Sequence, residues 1–137
     1  MRMKVRGQLR KLRRMKRAVI KRERIHIPIY NCILHVYWGS KENDEWREWL
    51  KENDEEKLFE EMLTSSSCAF AVEEESGYRE FHMFLRELTP GRVAHEVKHV
   101  VNFIFAYVGY ELAVDNDEVE CYLLEWLVDE VYKLIEK

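Results

Sequence analysis

"TPGRVAHEVKHVVNFIFAYVG", residues 89–109, is the stretch that decides the second half of the fold. Thr89 is a good N-cap and Pro90 suits the first helical position, where its missing N–H costs nothing. Apolar residues then recur from 93 to 107, and Gly109 can adopt the left-handed conformation that ends many helices. The stretch therefore predicts a helix that begins after Thr89 and stops at Gly109.

The same helix contains His95, Glu96 and His99, which spell H-E-x-x-H. Residues i and i+4 lie on one helix face, so both imidazoles can direct a nitrogen at one point about 2 Å away, which is the geometry that zinc needs. Glu96 lies about 100° around the helix from His95, where its carboxylate could take a proton from a water activated by the metal. Short motifs also occur by chance, and two ordinary polar residues with a charge between them are the alternative.

A catalytic zinc usually has three protein ligands, so a third donor is needed. The acids of "VDNDEVECY" follow a short loop, and a last helix is predicted to begin after Asp115, Asn116 or Asp117. Its first turn carries two candidates, Glu118 on the polar side and Glu120 among apolar residues. A buried acid is unusual unless it is paired or bound to a metal, which favours Glu120, and the residues alone leave both open.

The pair of motifs, H95-E-V-K-H99 and E118-V-E-C-Y, resembles the gluzincin metallopeptidases of the thermolysin type, and is most similar to their small phage- or prophage-type members. The resemblance covers roughly residues 25 to 137. It implies zinc bound by His95, His99 and Glu118, with Glu96 as the general base that promotes hydrolysis of a peptide bond. It also favours Glu118 over Glu120, because the family pattern has a small residue three positions after the ligand, as Cys121 is here.

Further expectations follow from the resemblance. A peptide substrate is expected to lie along an edge strand within Tyr78 to Leu88. Asn102 and Phe105 break the longer metzincin pattern, so that family is excluded.

The alternative function is a non-catalytic, phage-type binding or regulatory module. In that case Asp115, Asp117 or Glu120 supplies a fourth protein ligand, which completes the coordination of the zinc.

The first half of the chain predicts the rest of a small α+β, zincin-like domain. One strand is expected from Ile25 through "YNCILHVYW", then one or two acidic amphipathic helices, then strands in "SCAFAVEEE" and "GYREFHMFLREL" around a turn at Gly77. The order is then β-α-β-β-α-α, with a short mixed or antiparallel sheet packed on the last two helices. His82 is interpreted as a packed or surface histidine, with a substrate-binding role near the metal as the lesser alternative.

Residues 1–24 form a separate basic arm, with 12 Lys or Arg against one acid, while residues 25–137 have 10 bases against 25 acids. The arm could contact nucleic acid or an anionic membrane surface, or be an extension from an early start codon. No apolar run is long enough to span a membrane and no secretory signal is visible, so a cytoplasmic protein is expected, and its oligomeric state stays open.

The three cysteines, Tyr122 and Trp126 are interpreted as core residues. The Tyr122 hydroxyl could alternatively stabilise the oxyanion of a tetrahedral intermediate.

Overall fold

The computed structural model describes residues 20–53, 67–73 and 79–137, and the side chains of these ranges except those at 67, 68, 70–73 and 79. The described elements are β1 (Lys21–Ile27), β2 (Cys32–Trp38), α1 (Asn43–Glu52), β3 (Ser67–Glu73), β4 (Arg79–Leu85), α2 (Pro90–Val108) and α3 (Glu118–Ile135). This composition confirms the α+β class. The rest of the acidic helical region, the turn at Gly77 and most of the basic arm lie outside the described residues.

The described strands form one mixed sheet in the order β1-β2-β4-β3. β1 is antiparallel to β2, β2 is parallel to β4, and β4 is antiparallel to β3. Because β4 has a hydrogen-bonded neighbour on both sides, it is an interior strand. The expectation that a substrate lies along Tyr78–Leu88 as an edge strand is therefore wrong; within the described sheet, the edges are β1 and β3.

The single first strand expected from the sequence is two strands joined by a tight turn. The chain turns between Pro28 and Asn31, where the amide of Asn31 donates to the carbonyl of Pro28 at 3.4 Å. Asn31 has a φ of 46°, a left-handed conformation that asparagine tolerates better than most residues. β1 also begins at Lys21, so the last four residues of the predicted arm belong to the sheet.

One face of the sheet carries the main hydrophobic core. Side chains alternate across a strand, so Leu34, Val36, Phe81 and Met83 point to the same side and are fully buried. They pack with apolar residues of α2 and α3, among them Val97, Val100, Ile104, Leu127 and Val131. Both C-terminal helices therefore cover this face, which is called the helix-pair face below.

The opposite face is covered by α1. Trp46 and Leu50 of this helix are buried and pack against Tyr37 and Phe84 of the sheet, together with Ile20. The rings of Tyr37 and Phe84 stack at 4.2 Å between centroids, and the indole N–H of Trp46 donates to the carbonyl of Ser40 at 2.8 Å. This second face is called the α1 face below.

The helix predicted from residues 89–109 is confirmed at both ends. The Thr89 hydroxyl accepts a hydrogen bond from the amide of Arg92, and Pro90 opens the helix. Gly109 ends it with a φ of 75°, and its amide donates to the carbonyl of Phe105. The residues at its two ends therefore predict this helix correctly without knowledge of the elements that pack on it.

Among the described residues, none of the helices has the combination of length and apolar content needed to cross a membrane.

Candidate metal centre

His95 and His99 lie one turn apart on the outer side of α2, and both are exposed. Their Nε2 atoms are 3.3 Å apart. Two nitrogens that each lie 2.0–2.1 Å from a tetrahedral zinc are separated by roughly 3.3–3.4 Å, so this spacing fits two ligands of one ion. The buried residues of α2 include Val93, Val97 and Val100, which hold the opposite side of the helix on the sheet.

The ring orientations of the pair are also compatible with a shared ion. An imidazole nitrogen binds a metal in the plane of its ring, so an ion bound by two rings must lie where the two planes intersect. The planes of His95 and His99 meet at 73°, with centroids 4.9 Å apart. The two planes are therefore far from parallel, and a position that lies in both of them is geometrically allowed.

Glu96 differs sharply from the two histidines because its side chain is almost fully buried, with 2% of the residue exposed. Its Oε1 lies 3.9 Å from the Nε2 of His95, and its Oε2 makes no hydrogen bond. Burial raises the pKa of Glu96, and the nearby His95, His99 and Arg92 oppose that rise. A buried carboxylate oxygen without a hydrogen-bond partner is costly, and titratable groups with perturbed pKa values are concentrated at functional sites.

The two candidate third ligands have different surroundings. Glu118 opens α3 and is exposed, as its position on the polar side predicts. Glu120 is half-buried and forms an ion pair with Lys98 of α2, whose ammonium also donates to Asn102 at 3.0 Å. The ion pair explains the burial of Glu120 without a metal.

Neither glutamate completes a compact three-ligand group with the histidine pair as the side chains stand. Within the described part of the chain, such a group with all ligand atoms inside 4.8 Å is formed by His35, Glu80 and His82 instead. The structure thus brings together His95 and His99, places Glu96 beside them and leaves Glu118 outside that distance.

That second group lies on the α1 face. The register pairs His35 with His82 across β2 and β4. The Nε2 of His35 lies 3.1 Å from Glu80, and the Tyr37 hydroxyl is 2.9 Å from the Nδ1 of His82. Phe81 and Met83, on either side of His82, point the other way, into the core beneath α2. His82 is therefore a packed histidine, and a role beside the His95 and His99 pair is wrong because the sheet separates them.

The second group meets the distance requirement for a metal but not the orientation requirement. The rings of His35 and His82 are stacked with an interplanar angle of 8° and centroids 4.7 Å apart. Nearly parallel planes do not intersect near either ring, so one ion cannot lie in both. In addition, a guanidinium nitrogen of Arg22 is 3.4 Å from the Nδ1 of His35, and this fixed positive charge opposes a cation.

Burial also controls the protonation of this second group. Burial, with smaller contributions from the nearby His35 and Arg22, lowers the pKa of His82 to about 3. The pKa of His35 is also lowered by burial, against the opposing effect of Glu80. Both rings are thus held neutral near pH 7, as members of a packed polar cluster.

Three residues of α3 that the sequence predicted to be core residues are exposed instead. Tyr122 is 67% exposed and Trp126 is 36% exposed, so neither is a core residue. Cys121 is exposed as well, whereas Cys32 is buried as predicted; the side chain of Cys68 lies outside the described residues. The buried positions of α3 are Leu123, Leu127 and Val131.

Sequence reasoning missed the association of His35, Glu80 and His82. The alternation of β4 places Glu80 and His82 on one face, but His35 is more than 40 positions away and joins them only through the parallel register of β2 and β4. The chain matches no family model, no curated protein and no solved structure. Functional inference therefore depends on the geometry of the described residues.

Proposed function

We propose that this chain is a zinc-dependent, metallopeptidase-like hydrolase with its centre at His95 and His99. The observation that carries the proposal is the combination of a 3.3 Å Nε2 separation with the buried carboxylate of Glu96 next to it. Either feature alone has an ordinary explanation, since surface histidines can lie together and a buried acid can be protonated. Together they match the requirements of a two-histidine zinc site with a general base.

In this proposal each residue has one role. His95 and His99 bind zinc through Nε2, and the zinc would polarise the substrate carbonyl and lower the pKa of an attacking water. Glu96 accepts the proton of that water and later transfers it to the leaving amine. Its buried position supports this role, because a raised pKa brings the carboxylate closer to the range where it can both accept and release a proton.

Glu118 is proposed as the third ligand. It makes no ion pair with a described residue, whereas Glu120 is already paired with Lys98. A ligand at position 118 leaves that interhelix pair intact. In this proposal the exposed side chain of Glu118, at the beginning of α3, turns toward α2 when zinc binds.

Metal content is the first test. Purified protein should contain about one zinc per chain after dialysis against trace zinc. His95→Gln and His99→Gln should lose it, and Glu118→Gln should weaken it more than Glu120→Gln does. Equal zinc content in wild type and His99→Gln would show that the metal is not bound here, and a greater loss in Glu120→Gln would transfer the third ligand to that residue.

Hydrolysis is the second test. Glu96→Gln should keep zinc and lose cleavage of a mixed library of unstructured peptides, because an amide cannot accept the proton of the attacking water. His82→Gln, altered on the other face of the sheet, serves as a control that should cleave normally. Zinc binding without cleavage in the wild type would favour the non-catalytic module, and cleavage by Glu96→Gln would rule out Glu96 as the base.

The zincin-like arrangement, the strand that binds substrate and the cellular location belong to the same proposal. A zincin-like arrangement is supported by the H-E-x-x-H helix and the following helix, which lie on one face of the sheet. In this arrangement β3, the edge strand in contact with α2, replaces β4 as the strand that a peptide substrate would extend. A cytoplasmic location is part of the same proposal.

A further inference from the structure

A groove lies between the turn that joins β1 to β2 and the outer side of α3. It has a volume of about 620 Å³. The strand side contributes Ile27, Pro28, Ile29 and Tyr30, and the helix side contributes Val119, Tyr122, Leu123 and Trp126, with two acids. Its lining includes none of the three residues proposed to hold the metal, His95, His99 and Glu118.

The groove concentrates apolar surface that is open to water. Ile29 is 87% exposed, Tyr122 67%, Val119 44% and Trp126 36%. On α3, positions 119, 122 and 126 follow the i, i+3, i+7 spacing of one helix face. Single exposed apolar residues are ordinary, but a contiguous concave patch of this kind marks an interaction surface.

The polar residues of the groove are Glu125 and Asp129. Among the described residues, Glu125 forms no ion pair, and the charge of Asp129 is opposed only by that of Lys133, one turn further along the helix. They lie one turn apart on α3, so their charges are directed to the same side. The groove is therefore suited to an occupant that carries apolar anchors together with positive charges.

The chain itself contains a segment of that chemistry. Residues 1–19 include nine Lys or Arg and no acid, and Leu9, Leu12, Met15 and Val19 are spaced three or four apart. This spacing matches the anchors of an amphipathic helix that binds in a groove. The charge of the segment is opposite to that of residues 25–137, in which acids outnumber bases by 25 to 10.

The position of the segment favours binding to a neighbouring molecule. Ile20, which follows it, packs beneath α1 on the α1 face. The groove lies beyond the other end of β1, beside α3 on the helix-pair face. To reach the groove of its own chain, the segment would have to return along the roughly 20 Å of β1 and pass around the sheet. A second copy presents its groove without that reversal.

We propose that residues 1–19 of one copy dock in the groove formed by Ile29, Tyr122 and Trp126 of a second copy, with Glu125 and Asp129 neutralising its basic residues. The chain then self-associates through its basic arm. Apolar anchors supply most of the affinity, and the charges accelerate association and weaken it in salt.

Sedimentation velocity of the full chain, freed of nucleic acid by nuclease and high-salt washing, tests this proposal. Wild type should show concentration-dependent dimers or larger species at low salt that dissociate as salt is raised. Tyr122→Ser and, separately, Leu12→Ser should each raise the dissociation constant about tenfold or more, as expected for central anchors of an interface. Tyr122 is exposed, so its replacement leaves the core intact.

Val114→Ser is the matched control, because Val114 is 99% exposed but lies outside the groove. It should associate as the wild type does. The double variant Tyr122→Ser with Leu12→Ser should be little weaker than either single variant if the two side chains meet. If the wild type sediments as a monomer at every protein and salt concentration, the proposal is wrong. The arm would then bind its own chain or only nucleic acid. Association that is unchanged in Tyr122→Ser would overturn it as well.

Discussion

Two pairs of histidines, one on each side of the sheet, are equally close but differently built. His35 and His82 are buried on adjacent strands with their rings stacked at 8°. His95 and His99 are exposed one helical turn apart, with ring planes at 73°. The centroid distances are nearly the same, 4.7 and 4.9 Å. Proximity therefore does not distinguish a packing cluster from a candidate ligand pair, whereas ring orientation does.

The glutamates next to the two pairs sharpen the contrast. Glu80 lies 3.1 Å from His35 and is partly exposed to water. Glu96 is buried, and its Oε2 makes no hydrogen bond. The first carboxylate remains in contact with water, while the second costs stability in the absence of a ligand. A group that is retained at a cost to stability is a candidate for function.

The largest expected difference between the pairs is in zinc affinity. His99→Gln should lower it on the order of a thousandfold, because a zinc-binding free energy of roughly 10–16 kcal/mol is divided among few ligands. His82→Gln should leave it unchanged. Competition with a fluorescent zinc chelator measures both. The reverse result, with zinc lost in His82→Gln and kept in His99→Gln, would show that the stacked pair is the metal site.

The second largest difference is in the dependence of stability on pH. The pKa of His82 falls from 6.5 to about 3 on folding, chiefly through burial. The unfolded chain then binds a proton below about pH 6.5 that the folded chain does not, so His82 lowers stability as the pH falls from there toward 3. The loss attributable to His82 should be about 3 kcal/mol at about pH 4.

Urea unfolding at about pH 7 and about pH 4 measures this loss. His82→Gln should show a smaller decrease in the free energy of unfolding between the two pH values than the wild type shows. His99→Gln, altered at an exposed position, should follow the wild type. If His82→Gln and the wild type lose equal stability, His82 does not govern this part of the acid response.

How well each pair could be predicted depends on the range of the interactions that form it. Thr89, Pro90 and Gly109 define α2 through contacts with their own neighbours in sequence, so the positions of His95 and His99 follow from local signals alone. The pairing of His35 with His82 depends on a parallel register between distant strands. Register is determined by burial and by connections that a single sequence does not reveal.

The errors on α3 have a related cause. Apolar residues occur around most of this helix, so a wheel identifies Leu123, Leu127 and Val131 as core but does not show that Tyr122 and Trp126 line an open groove. The interior position of β4 was missed because the order of strands in a sheet, like the register of β2 and β4, depends on contacts between distant parts of the chain. Glu120 looked like a ligand because it lay in an apolar stripe, and its partner Lys98 belongs to another helix.

A third difference should appear when the two glutamates are replaced. Glu96→Met should raise the free energy of unfolding of the zinc-free protein by about 1–2 kcal/mol, because it removes a buried carboxylate and fills the same volume. Glu80→Met should change it by less than about 0.5 kcal/mol, because Glu80 is partly exposed and the nearby Nε2 of His35 makes no hydrogen bond. Urea unfolding in the presence of a chelator gives both values. Destabilisation by Glu96→Met would mean that its carboxylate has a stabilising partner.

The smallest expected effect concerns the ion pair that holds the beginning of α3 beside the exposed histidines. Lys98→Met should lower stability by about 1 kcal/mol, since the Lys98 side chain is 41% exposed and that of Glu120 only 15%. If the Lys98–Glu120 ion pair also positions Glu118, zinc affinity should fall about tenfold. The double variant Lys98→Glu with Glu120→Lys exchanges the two charges and should restore much of that affinity.

Glu130→Gln, which removes the exposed ion pair with Lys133, is the control and should change neither the stability nor the zinc affinity appreciably. A loss of stability without a loss of zinc affinity would limit the ion pair to packing the two helices and would leave Glu118 to reach the metal by its own flexibility.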